Sequence, residues 1–176
     1  MSKCATTLPE CAKAKGYNVV ALSNGYYSND VPANALIYDT GSCFETPRDS
    51  NQHWWAIDFG TIVTIQSYQI NAAEPGWISS WKLSVSNDFS QWNPIDSQNK
   101  FPGDTMYSIL TPKSGRYAQI IGASDFNPST CFEFYYVKFF GLIGSPKSSK
   151  KVECSCHKNY GMKKNIINIL LLVYSK

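Results

Sequence analysis

The sequence predicts an all-β fold, an antiparallel sandwich or jelly roll. Three observations carry that expectation. Short strand-like runs recur from residue 17 to residue 143, with Asn, Asp, Gly, Ser and Pro at the breaks between them. No run sustains an apolar period of 3.6 residues. Aromatics make up 14% of the chain and charged residues only 16%, a balance that suits a packed β domain and not a coiled coil or a disordered chain.

The elements follow in order. The run "YNVVALS" (17–23) reads as the first strand. "HWWAIDFG" (53–60) reads as the second and ends on glycine, and "TIVTIQSYQINA" (61–72) follows at once as the third. In the second, Trp55, Ile57 and Phe59 share one face and form a buried stripe, while Trp54, Ala56 and Asp58 face the other way. Asp58 stands just before a turn, where a carboxylate accepts backbone N–H bonds. "SWKLSVS" (80–86) alternates cleanly, with Trp81, Leu83 and Val85 on one face. "NDFSQW" reads as a turn. "TMYSIL" (105–110), "GRYAQIIGA" (115–123) and "CFEFYYVKFFGLI" (131–143) complete the set. Large aromatics dominate sandwich cores, so Trp55 is assigned to the core.

The division of the chain is read from charge and turn composition. Residues 1–146 hold nine Lys and Arg against twelve Asp and Glu, and residues 147–176 hold seven Lys against Glu153. A mildly acidic body with a basic tail does not suit a nucleic-acid-binding domain. "GSPKSSKK" has linker composition. We therefore read 1–15 as an N-terminal extension, 16–143 as the domain, and 144–176 as a linker with a poorly structured basic and apolar tail. The tail ends in nine mostly apolar residues, Ile166 to Tyr174, too few to span a bilayer. The first residues lack an apolar signal-peptide core, so a cytoplasmic location is expected. The even count of six cysteines invites a disulfide framework, but they are scattered through a large body and the expected setting is a reducing cytosol, so their redox state stays open. "CSCH" (154–157) has no second ligand pair beside it, so no metal is expected there.

The ordered set "PANALIYDTGSCFET" (32–46), "HWWAIDFGTIVTIQSYQI", "SSWKLSVSNDFSQWNPIDSQ", "GRYAQIIGAS" and "YVKFFG" resembles the discoidin domain, also called the coagulation factor 5/8 C-terminal domain. That family is related to the family 32 carbohydrate-binding modules. The resemblance covers nearly all of 16–143 and implies an eight-stranded antiparallel jelly-roll β-sandwich with no catalytic centre. It also implies that ligands meet loops at one end, here 23–30, 43–53, 71–79 and 124–130.

Each loop carries suitable side chains. Tyr26 and Tyr27 are paired in a Gly/Ser/Asn loop, Arg48, Asp49, Asn51 and His53 stand together in another, and Trp77 follows Pro75-Gly76. Sugar recognition needs an aromatic face for the C–H side of the ring and a few directional hydrogen-bonding groups for hydroxyls. The candidate ligand-binding residues are therefore Tyr26, Tyr27, Arg48, Asn51, His53 and Trp77. The structural alternative is that the aromatics fold back over the sandwich, Arg48 pairs with Glu45 or Asp49, and His53 caps its loop. Many members of the family carry a structural calcium held by an Asp two residues after "ANA" and a Glu in the closing strand. Those positions are Ile37 and Tyr136 here, leaving only Asp39 and Ser42 as candidate ligands, so no cofactor is expected and calcium binding is expected to be weak or absent.

No Ser/His/Asp set, paired catalytic carboxylates or phosphate loop is legible, so the chain is read as non-enzymatic. Three partner classes stay open on the sequence. One is a glycan, met by the aromatic loops. The second is a protein, if the chain is intracellular. The third is a phospholipid surface, aided by the basic tail.

Overall fold

The computed structural model describes residues 6–47, 52–72, 78–100, 102–122, 132–144 and 152–153. The chain opens with helix α1 (Leu8–Ala14), followed by β1 (Val20–Ser23), a 3-10 turn (Pro32–Leu36) and β2 (Phe44–Glu45). It continues through β3 (Trp54–Asn71), β4 (Ser80–Ser86), β5 (Asn93–Asn99), β6 (Asp104–Ser108), β7 (Ser114–Gly122), β8 (Glu133–Phe134), β9 (Tyr136–Ile143) and β10 (Val152–Glu153). Every strand pairing among the described residues is antiparallel.

β3 explains the architecture. Its first part, Trp54 to Asp58, lies between β1 and β7, and β7 leads on to β4 and β5. Its second part pairs with β9 from Val63 to Asn71 and with β6 from Ser67 to Asn71, while Val63 and Thr64 still meet β7. One long strand thus serves two layers. The corner falls at Gly60, where the register against β7 shifts and φ is +68°, a left-handed value that disfavours any side chain. The sequence reads two strands here, 53–60 and 61–72. The structure keeps one, because glycine turns the backbone without ending the pairing.

Asp58 braces the corner. Its Oδ1 accepts the Gly60 N–H at 2.7 Å, and the Arg116 guanidinium donates to both carboxylate oxygens at 2.8 Å. The first of these is the turn bond expected of a carboxylate at that position, and the Arg116 fork was not legible in sequence.

The two layers meet through aromatic side chains. The Trp55 ring stacks on Phe139 of β9 at 6.3 Å, Phe59 meets Phe139 edge-on at 5.8 Å, and Trp81 of β4 meets Tyr107 of β6 at 5.5 Å. Trp55, Ile57, Phe59, Trp81 and Leu83 are fully buried and Val85 nearly so, as the alternation predicts. The buried polar atoms of these rings are paired. Trp55 Nε1 donates to the Pro32 carbonyl at 2.9 Å, and Trp81 Nε1 donates to the Tyr68 hydroxyl at 3.2 Å. Tyr68 in turn donates to Asp96 of β5 at 2.5 Å, so one chain of bonds crosses from layer to layer.

Three features were not read from the sequence. Residues 8–14, within the segment read as an extension, form α1, whose Leu8, Cys11 and Ala12 join the core. A capping box starts it, with Thr7 and Glu10 bonding each other's backbone N–H. β5, "NPIDSQN", reads as a loop by composition, yet it pairs with β4 as an edge strand, where Pro94 and polar residues are tolerated. Cys11 is disulfide-bonded, which departs from the reducing setting expected from the sequence, while Cys43 is free. Of the tail, only the two-residue strand β10 on the edge of β9 is described.

Candidate ligand-binding end

The strand registers decide which loops share an end. Ser23 pairs with Trp55, Trp54 with Ile121, Trp81 with Gly122, and Ser80 with Asn99. The end of β1, the start of β3, the start of β4, and the ends of β5 and β7 therefore lie along one edge. In the other layer Asn71 pairs with both Asp104 and Tyr136. The short connection from Asn99 to Asp104 brings that pairing to the same end. Among the described residues, the loop 23–30 and the described ends of 43–53 and 71–79 leave from this end of the sandwich, while 124–130 lies outside the described residues.

The loop from 23 to 30 is the best defined of them. Tyr27 N–H donates to the Glu45 carbonyl at 2.9 Å, Asp30 N–H to the Tyr27 carbonyl at 2.9 Å, and Glu45 N–H to the Asp30 carbonyl at 3.2 Å. These bonds fix the loop on β2 and leave both tyrosine side chains outside, with Tyr26 52% and Tyr27 54% exposed. Asn24 ties the loop to β3, since its Oδ1 accepts the Trp54 N–H at 3.2 Å and its Nδ2 donates to the Gln52 carbonyl. A side chain on Gly25 would meet Pro47 at 3.2 Å, so the first two loops touch. The Asn-Gly step in "SNGYY" is the signal that would have marked Asn24 as the loop's anchor.

His53 lies beneath the loops. It is 4% exposed, and its Nδ1 is hydrogen-bonded to the Thr46 hydroxyl, which also accepts the Phe132 N–H at 3.0 Å. Burial pushes its pKa down, so the ring is neutral at physiological pH. From that position it joins the 43–53 loop to the strand that follows 124–130. Arg48, Asp49, Asn51 and Trp77 lie outside the described residues. Trp54 is half-buried on the outer face, edge-on to Phe89 at 6.0 Å.

The β2–β8 pair to which the loop is bonded carries buried carboxylates. Glu45 and Glu133 face each other across the β2–β8 pair, and both are buried. Burial, together with Glu133 and Asp30, pushes the Cys43 thiol far above its ordinary range, so it stays protonated and a poor nucleophile. Among the described residues no three His, Cys, Asp or Glu side chains gather as a metal site. The end thus presents two exposed tyrosines on a loop held by backbone bonds. Such a surface can stack on a ligand ring and exchange hydrogen bonds through the phenol hydroxyls.

The profile of the F5/8 type C domain matches residues 18–134. The chain belongs to the F5/8 type C domain family. A search of curated proteins finds no match. Among solved structures, this F5/8 type C domain is similar to a carbohydrate-binding module of Clostridium perfringens, seen in complex with GalNAc-β-1,3-galactose. That similarity has a TM-score of 0.63 at 12% identity, over 77% of this chain and 100% of that one. A chitosan-binding module from the chitosanase/glucanase of Paenibacillus sp. IK-5 matches with a TM-score of 0.62 at 16% identity, over 77% and 99% of the two chains. A fucolectin from striped bass (Morone saxatilis) serum matches with a TM-score of 0.62 at 15% identity, over 71% of this chain and 47% of that one. These likenesses show the shared sandwich fold.

Proposed function

We propose that this F5/8 type C domain is a non-catalytic carbohydrate-binding module, with Tyr26 and Tyr27 as the aromatic part of its site. The observation that carries the reading is the pair of exposed tyrosines on a loop held by backbone bonds at one end of the sandwich. Exposed aromatics on a backbone-locked loop lose little conformational freedom on binding, which suits stacking against a sugar face. The similar structures support the class of ligand, since their own ligands and names point to an amino-sugar disaccharide, chitosan and fucose. Arg48, Asn51 and Trp77 belong to this proposal as the side chains of the neighbouring loops that would supply polar contacts and a further ring. His53 supports the site from below by holding the 43–53 loop. The Cys11 disulfide favours an oxidising compartment over the cytoplasmic one expected from the sequence.

The test is a glycan microarray probed with the labelled chain, beside flotation with anionic liposomes. Saturable binding to a defined set of glycans, without flotation, supports the reading. Flotation without any glycan signal overturns it in favour of a lipid surface.

A further inference from the structure

The segment 33–42, where many family members hold calcium, has an unusual backbone. Tyr38 adopts φ +65°, a left-handed value that a bulky side chain takes only when its surroundings hold it there. Its ring meets Tyr136 of β9 edge-on at 6.4 Å. A cation lies beside the pair and within reach of both rings. Lys138 Nζ lies 4.2 Å from the centre of the Tyr136 ring and 5.6 Å from that of Tyr38. Tyr136 and Lys138 alternate along β9, so both project from the outer face of its layer, and the loop carrying Tyr38 folds over them.

Both hydroxyls are anchored at their far ends. Tyr38 is hydrogen-bonded to the Thr7 hydroxyl of the α1 capping box at 3.0 Å. Tyr136 donates to Asp104 of β6 at 2.8 Å, and Asp104 also accepts from Gln69 of β3 at 2.7 Å. Each ring therefore has a fixed position, and Lys138 joins the two.

The same residues do not fit calcium. The one acid left in the loop, Asp39, uses its Oδ1 on the Gly41 N–H at 3.0 Å and the Ser42 hydroxyl at 3.3 Å. Ile37 offers an apolar side chain, 54% exposed. Tyr136 has turned its oxygen toward Asp104, and a lysine ammonium lies against its ring. Calcium seeks six to eight oxygens with several carboxylates, and an ammonium beside the loop opposes a second cation.

We propose that Lys138, in cation–π contact with both Tyr38 and Tyr136, takes over the work of a structural metal and holds the 37–42 loop and the N-terminal helix to the sandwich. The clamp rests on this chain's own contacts and stands whether or not the domain binds a sugar.

Three measurements on the whole chain test it. Replacing Lys138→Met keeps the aliphatic stem and removes the charge. The melting temperature should fall by about 2–4 °C, as loss of a partly exposed cation–π contact implies. Backbone amides of 37–42 should exchange faster while those of β4 stay protected. Lys138→Arg, which keeps a cation, should restore both. In the wild-type chain the Lys138 side-chain protons next to Nζ should resonate upfield of free lysine, a ring-current signature that needs no variant. Chelator should leave the melting temperature of the wild-type chain unchanged. The proposal is overturned by a Lys138→Met chain with wild-type melting and loop exchange, or by a fall in stability that is not centred on the loop. Ordinary lysine shifts, or a loss of stability with chelator that calcium restores, would overturn it equally.

Discussion

Gly60→Ala tests the corner on which both layers hang. At φ +68° an alanine carries a torsional cost of about 1–2 kcal/mol, the left-handed penalty for a residue with a Cβ. The added carbon would also stand 2.6 Å from the Asn18 carbonyl oxygen, 3.2 Å from the Asn18 nitrogen and 3.3 Å from Tyr17 Cβ. Two of those atoms are backbone, so relief requires moving the chain that enters β1, at a cost of roughly 1–3 kcal/mol for an overpacked site. A gain of about 0.4–1 kcal/mol from the stiffer unfolded chain offsets part of this. The net loss is about 1–5 kcal/mol, a fall in melting temperature of roughly 2–20 °C for a chain of this size. The assay is urea unfolding followed by tryptophan fluorescence, with the midpoint lowered and the slope unchanged. Gly16→Ala is the control. Gly16 has a similar φ of +82°, and nothing lies within 4 Å of its added carbon, so only the torsional part should remain. A Gly60→Ala chain as stable as the parent, or no less stable than Gly16→Ala, would refute the account of the corner.

Trp55→Ala should cost about 3–5 kcal/mol, since the ring is fully buried against Phe134 and Phe139 and its indole N–H satisfies the Pro32 carbonyl. Urea midpoints read this directly, and an unchanged midpoint would contradict the placement of the ring. His53 gives a pH dependence. Its folded pKa is lowered by burial below the ordinary value of 6.5, so the unfolded chain takes up a proton first on acidification. The stability associated with the neutral ring is present above pH 6.5 and drains away as pH falls below it. Melting temperatures of the wild type should show this loss, and those of His53→Asn should lack it. Equal slopes in that window would show that another group is responsible.

Much of the fold was legible because its signals are local. Alternation in "HWWAIDFG" and "SWKLSVS" fixes which side chains face inward, whatever the partner strands are. β5 was hidden because an edge strand can be polar and carry a proline, so its composition matches that of a loop. α1 was hidden because a seven-residue helix is too short to show a period, although Thr7, Pro9 and Glu10 carry a start signal. The site was legible only in part. That Tyr26 and Tyr27 lie outside follows from loop composition, but the burial of His53 depends on Thr46 and Phe132, which no sequence spacing brings together. The Lys138 clamp joins Tyr38 to a strand about a hundred residues away, a pairing that emerges only from the register of β9 in the sheet.

The most direct test of the central claim is calorimetric titration of the array-selected glycan into the wild-type chain, Tyr26→Ala and Tyr27→Ala, with melting curves recorded on the same samples. Both rings are solvent-facing, so the variants should melt with the parent. If the rings form the site, at least one variant should lose about 1–3 kcal/mol of binding free energy, roughly a 5- to 150-fold rise in Kd. Undiminished binding by both folded variants would contradict the account and place the ligand elsewhere on the domain.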